Sequence, residues 1–268
     1  MKLKNLMTKN TVEKNAAVAD IMTYGRNIIT CTHLNKQFMG IKAINDLSIQ
    51  IPQAKTTGLI GPNGSGKTTL MNILTGMIMP DSGEISIRDK KRDRIKSNEL
   101  RQYRIARTFQ DGRFIEQLSV EDNLLLAVAK TSLWGSFKEI KIDDYKDRLE
   151  KVLEITTLRE HRLKKASELS YGLRKLLEIG RLLMQDAEIY FFDEPFTGLF
   201  PEMVEKVCEI ISGLQKQGET VVIIEHNMGL IKRLSDYIIV LDHGTLLAEG
   251  EPDEVLKNKD VREAYLGV

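Results

Sequence analysis

The chain lacks an apolar run of the roughly 18 residues needed to cross a bilayer, so a spanning helix is not expected. It has only two cysteines, Cys31 and Cys208, too few for a disulfide framework or a metal cluster. Charge of one sign is also missing: 39 Lys and Arg stand against 38 Asp and Glu, for a formal net charge of +1. That balance gives no electrostatic reason to expect nucleic acid as the partner. Residues 1–27 are polar and mixed in charge, without the apolar stretch of a secretory signal, and read as a loosely attached tail. No internal repeat or low-complexity tract stands out. These absences point to a cytosolic globular chain, and 268 residues suffice for one large domain or two small ones.

What is present begins with Gly61-Pro62-Asn63-Gly64-Ser65-Gly66-Lys67-Thr68, between a predicted strand (57–60) and a predicted helix. Glycines let backbone N–H groups close around phosphates, Lys67 reaches the β/γ oxygens, and the Thr68 hydroxyl suits Mg²⁺. An ordinary Gly-rich turn is the bland alternative, and the strand–loop–helix setting disfavours it. A second phosphate-type helix start follows in Leu169-Ser170-Tyr171-Gly172. Ser and Gly at a helix N-terminus offer free N–H groups, a hydroxyl and the positive dipole end. Two such sites in one chain, where a nucleotide enzyme needs one, are accounted for by a nucleotide sandwiched between two copies.

Alternation of Leu47, Ile49 and Ile51 predicts a half-buried strand paired with the segment around 28–34. Leu70, Ile73, Leu74 and Met77 predict a helix packed on a sheet. Pro80-Asp81-Ser82-Gly83 is turn chemistry before a strand at 84–87. The charge run 88–96 reads as a solvated loop in preference to a basic contact patch. From 98 to 168 the pattern is mainly helical and polar, as at 143–155, and a helix follows Gly172. Strands are predicted at 189–192, 221–224 and 237–241, with helices between them. Cys208 shares an apolar helix face with Val204, Val207 and Ile211, which favours core packing.

The expected fold class is α/β: a P-loop core of mostly parallel sheet with helices on both faces, a small antiparallel β subdomain and an inserted helical subdomain. The expected divisions are a tail (1–27), the first part of the core (28–97), a helical subdomain (98–175) and the second part of the core (176–268).

Four apolar residues, Ile189 to Phe192, end in Asp193-Glu194-Pro195, which suits a buried strand delivering carboxylates at its edge. Asp193 would meet the Mg²⁺ side and Glu194 the attacking water; an acidic turn after a core strand is the alternative. His226 follows the apolar strand 221–224 and Glu225, where an imidazole would contact the γ-phosphate or the water, though a lone His there is usually structural. Gln110 opens the helical insert; alone a Gln means nothing there, but in this order of motifs its amide would reach metal or water as the insert swings. Phe38 would stack on adenine or pack under the sheet. His33, His161 and His243 have no comparable context.

In this order the motifs resemble the ATP-binding subunits of ABC transporters, over about residues 28–267. The finer cues resemble those of branched-chain amino acid importers: Ala106-Arg107-Thr108-Phe109-Gln110, Thr197-Gly198-Leu199 and Glu263-Ala264-Tyr265-Leu266-Gly267. The resemblance implies ATP and Mg²⁺ as cofactors. It assigns Phe38, Gly61, Pro62, Asn63, Gly64, Ser65, Gly66, Lys67, Thr68, Thr69, Ser170 and Gly172 to nucleotide. Thr68, Gln110 and Asp193 fall to the metal, and Glu194, His226 and Gln110 to catalysis. It implies that Ser170 and Gly172 bind the γ-phosphate of ATP held by the opposite protomer, with the turn at 197–201 along the dimer interface. The implied partners are membrane permease subunits, a second ATPase subunit and a separate substrate-binding protein, with no nucleic acid. The implied location is the cytoplasmic face of the membrane.

A groove for a permease helix would lie near 110–118, with Phe114 and Ile115 either contacting it or packed inside. Leu173 and Phe200 depart from the family, which usually has Gln at the first and Asn or Asp at the second. The alternatives are a soluble ABC-type ATPase acting on nucleic acid or the ribosome, and a GTPase or small-molecule kinase. The short insert and single phosphate loop argue against the first, and the second helix start against the other.

Overall fold

The structure, a computed structural model, describes residues 26–108, 114–128 and 145–266. Its first sheet is antiparallel, built from β1 (Asn27–Phe38), β2 (Ile41–Pro52), β4 (Ser82–Ile87) and β5 (Lys90–Arg92) in the order β2-β1-β4-β5. The predicted pairing holds, with Ile29 opposite Ile51, Cys31 opposite Ile49 and Leu34 opposite Leu47, all buried. The expected tail reaches the described residues only at Arg26 and Asn27, and Asn27 already begins β1.

The second sheet has six strands: β3 (Thr56–Ile60), β6 (Ile105–Arg107), β7 (Ile189–Asp193), β8 (Thr220–Ile224), β9 (Tyr237–Asp242) and β10 (Thr245–Gly250). Their order is β10-β9-β3-β8-β7-β6, parallel except for β10. Because successive side chains point to opposite faces, each buried strand serves two cores. Phe191, Val222 and Ile224 face the antiparallel sheet and helix α1 (Lys67–Leu74). Phe192, Val221 and Ile223 face α4 (Tyr171–Met184) and α5 (Pro201–Lys216). Both cysteines are buried, and burial pushes the Cys31 thiol up to about 12. Neither is a nucleophile.

The helical region comprises α2 (Val120–Leu126), α3 (Lys146–Ile155) and the start of α4, joined by a shared core that includes Leu124, Leu149, Val152, Leu153 and Leu176. Arg148 of α3 donates to the carbonyls of Leu183 and Gln185, satisfying the end of α4. After β8 come α6 (Met228–Leu234), α7 (Pro252–Val255) and α8 (Lys259–Leu266), the last two beyond the reach of the sequence reading. They pack with Ile60, Ile238 and Val240 in a third, smaller core.

Three expectations need correction. Residues 98–168 are not simply helical, since β6 lies among them and pairs with β7; three residues are too few to show an alternation. The charge run contains edge strand β5, whose exposed lysines are the usual protection of a free edge. Met77, expected on the helix after the phosphate loop, lies outside it. That helix ends at Leu74, where Thr75 Oγ1 and N both return to the Met71 carbonyl and Gly76 turns left-handed.

Candidate active site

The parallel strands β3, β8 and β7 lie side by side and deliver their carboxyl ends to one edge, the usual place for a ligand in such sheets. From β3 emerges the phosphate loop. Gly61 has φ +151°, and a Cβ there would sit 2.1 Å from the Leu241 carbonyl, so no other residue fits without displacing β9. Gly64 and Asn63 are exposed at the loop's tip, whereas Ser65 is buried and its carbonyl accepts the Gly244 N–H at 3.0 Å. Lys67 is buried; its Nζ donates to the carbonyls of Gly61 (2.7 Å) and Pro62 (2.9 Å). Burial lowers its pKa, while Glu194 and Asp193 act to raise it. Thr68 is exposed and Thr69 half-buried on the first turn of α1.

From β7 come the two carboxylates, placed differently. Asp193 is fully buried and its N–H donates to Thr108 Oγ1 at 3.0 Å. Arg107 Nη2 donates to Asp193 Oδ2 at 3.1 Å, and Oδ1 has no hydrogen-bond partner among the described residues. Burial raises the Asp193 pKa; Arg107 acts against that and the neighbouring Glu194 adds to it. Glu194 adopts φ +47°, a left-handed backbone costly for a side-chain residue. Its N–H holds the turn by donating to the Ile224 carbonyl at 3.0 Å. The turn aims its carboxylate at His226, with Oε1 3.1 Å from Nε2, while Oε2 lies 3.4 Å from Thr197 Oγ1. Two residues separated by 32 positions in the chain thus form one hydrogen-bonded pair.

Arg107 was missed by sequence reasoning as a site residue. Besides Asp193 it bonds Asn72 and Thr75 Oγ1 of the α1 region, tying β6 to the metal-type carboxylate and to the phosphate-loop helix. The signal was its place in the cue Ala106-Arg107-Thr108-Phe109-Gln110, which gave it no role of its own in a stretch read as helical. Asn123 was also missed: fully buried on α2, it accepts from the Ile115 N–H and donates to the carbonyls of Ile115, Leu118 and Ser119. It fixes the turn expected to meet a permease. There Phe114 packs on the helical core and Ile115 is about half exposed (48%). Gln110 lies outside the described residues.

Ser170 and Gly172 stand apart from this cluster. Ser170 is the N-cap of α4, its Oγ accepting from the Leu173 N–H, a cap worth about 1 kcal/mol. A Cβ on Gly172 would lie 2.0 Å from Met203 Sδ, so any larger residue there would have to push the Met203 side chain aside. Phe38 ends β1 and is exposed (43%), with the Lys36 ammonium 5.3 Å from its ring centre; it does not pack under the sheet. Leu173 is half-buried against the helical core. Phe200 is 80% exposed at the N-cap of α5, and its side chain makes no cap hydrogen bond.

The ABC transporter family profile matches residues 44–197. The chain belongs to the ABC transporter family of ATP-binding subunits. A second profile, for branched-chain amino acid ATP-binding cassette transporters, matches residues 245–268, the stretch holding β10, α7 and α8. This ABC ATPase is 36% identical to the high-affinity branched-chain amino acid transport ATP-binding protein LivG of Salmonella typhimurium, over 90% of the chain and 98% of that protein. It is 33% identical to BraF of Pseudomonas aeruginosa, a protein of the same description, over 90% and 98%. Among solved structures, a nucleotide-free ATP-binding cassette from an ABC transporter is similar at TM-score 0.78 and 32% identity, covering 91% of this chain and all of that one. The ADP conformation of the cassette MJ1267 is similar at TM-score 0.78 and 33% identity, with the same coverage. The family and fold expectations hold, and the chain is an ATP-hydrolysing transport subunit. These likenesses give no support to the permease-free alternative.

Proposed function

We propose that this chain is the motor subunit of an importer for branched-chain amino acids or a similar small polar solute. One observation carries the mechanism: Glu194 and His226 meet at neighbouring strand ends beside the phosphate loop. In this reading backbone N–H groups of 61–68 and the Lys67 ammonium hold the β- and γ-phosphates of ATP, and Phe38 stacks on its adenine. Glu194 takes the proton of a water attacking the γ-phosphorus, while His226 holds the carboxylate in its aim. ADP leaves as the O–P bond to the β-phosphate oxygen breaks.

The residues suit Mg²⁺. Asp193 Oδ1 is a buried oxygen without a partner among the described residues, and the Thr68 hydroxyl is exposed on the loop. No group of three His, Cys, Asp or Glu side chains forms a metal cluster among the described residues, and Mg²⁺ does not need one, because it uses few protein oxygens plus phosphate. Bound there, Mg²⁺ would supply charge neutralisation of the phosphate oxygens.

Ser170 and Gly172 would complete the site of a second copy or a related chain, with Gln110 linking nucleotide state to the helical part. Exposed Phe200, beside a cavity of about 450 Å³ lined by Leu199, Pro201 and Val204, lies in the turn proposed for that interface. The helical part of 98–175 would then move against the single core formed by 28–97 and 176–268, whose strands β3, β8 and β9 share one sheet. ATP drives closure through its stronger binding to the closed dimer. No helix of the described residues is long and apolar enough to cross a membrane. Attachment at the cytoplasmic face would come through permease subunits, with a separate substrate-binding protein supplying the solute.

Affinity purification of the tagged chain from detergent-solubilised membranes, followed by mass spectrometry, tests this reading. Recovery of a multi-span permease pair is expected. Recovery of ribosomal or DNA-bound partners without membrane protein would overturn it.

A further inference from the structure

Gly61 is gripped at both of its main-chain groups. Its carbonyl accepts from Lys67 Nζ at 2.7 Å, and its N–H donates to the Tyr265 hydroxyl at 3.1 Å, across 204 positions of sequence. Tyr265 belongs to α8, which is anchored by buried Val261 in the core it shares with Ile60 of β3, Val240 of β9 and Val255 of α7. Glu225, buried just past the end of β8, accepts the N–H groups of His226 and Asn227 with Oε1. Burial raises the phenol's pKa, the Gly61 N–H acts against that, and the Glu225 charge raises it further. The phenol therefore bonds the entry of the phosphate loop and feels the charge of Glu225, which precedes the turn that carries His226.

We infer that Tyr265 is a positioning residue of the nucleotide site, through which α8 straps the entry of the phosphate loop. By holding the Gly61 N–H, the hydroxyl sets the peptide at which β3 becomes loop. The Gly61 carbonyl, in the next peptide, receives the Lys67 ammonium, so the two bonds together hold the main chain on either side of the Gly61 Cα. The strap touches no phosphate itself. It couples the C-terminal segment to nucleotide affinity, so any partner that displaced α8 would loosen ATP without removing one of its ligands. The inference rests on the phosphate-loop reading for its consequence, though not for its geometry.

Tyr265→Phe in the full chain keeps the ring and removes only the hydroxyl. Its melting midpoint should stay within about 2 °C of the parent. Amide hydrogen exchange of the peptide covering 58–66, measured without nucleotide, should quicken about three- to tenfold, the worth of one lost hydrogen bond. KM for Mg-ATP should rise by a similar factor, with kcat changed less than about twofold, the pattern of lost uniform binding. Unchanged exchange and unchanged KM would overturn the inference. Lys67→Ala separates it from the nucleotide reading. That variant should lose ATP binding, and retained binding would count against the loop's role while the nucleotide-free exchange still decides the strap.

Discussion

The phosphate loop and the helix start at Ser170 bear similar chemistry, yet only the loop has charged side chains of its own chain gathered beside it. Around the loop the chain supplies Lys67 against the Gly61 and Pro62 carbonyls, Asp193 close to it, and Glu194 and His226 paired at the next strand ends. At the helix start, Ser170 is exposed and bonds within its own helix, and Gly172 packs on Met203. Among the described residues no carboxylate bonds Ser170, and the nearby Arg174 guanidinium is engaged by the Leu169 and Ser167 carbonyls. The comparison teaches that half of the proposed composite site is legible as a site only if another chain faces it.

The largest expected break in that comparison is Glu194→Gln. It keeps the shape of the pair with His226 but removes the proposed base, so turnover should fall about a thousandfold while ATP binding persists. A phosphate-release assay beside an ATP-binding measurement decides; undiminished hydrolysis would remove Glu194 from the mechanism.

A smaller effect separates packing from phosphate binding at the helix start. Gly172→Ala should cost about 1 kcal/mol or somewhat more by crowding Met203. The double change Gly172→Ala/Met203→Ala should melt like Met203→Ala alone, yet stay about tenfold below it in ATPase rate. Recovery to the Met203→Ala rate would make Gly172 a packing residue only.

The smallest effect concerns Leu173, half-buried beside Ser170. Leu173→Gln should raise the steady-state ATPase rate about two- to fivefold, one modest hydrogen bond's worth at the site between protomers. An unaltered rate would mean the leucine serves the helical core and nothing else.

Much of the fold was legible because its signals are local. Leu47, Ile49 and Ile51 alternate, and they are buried opposite β1. Four apolar residues before Asp193 announced a strand buried on both faces, which β7 is. The loop at 61–68 combines glycine placement with a strand before and a helix after. By contrast, β6 is three residues long, and β5 hides in a charge run because an edge strand has a solvent side where lysine is at home. Arg107 and Asn123 escaped for another reason: their partners, Asp193 and the turn at 115–119, are set by folding and leave no spacing to read.

By itself the sequence determined the chemistry on offer: a phosphate loop, an acidic strand end, a capped helix start and their order along the chain. These are short patterns in which backbone conformation and side-chain type suffice. Only the tertiary structure decided which groups meet. Parallel pairing of β3, β8 and β7 brings Lys67, Glu225, His226, Asp193 and Glu194 to one edge. Packing of α8 beneath β3 brings Tyr265 to Gly61. Contacts across 32 or 204 positions depend on how sheets register and helices pack, and no local pattern encodes that.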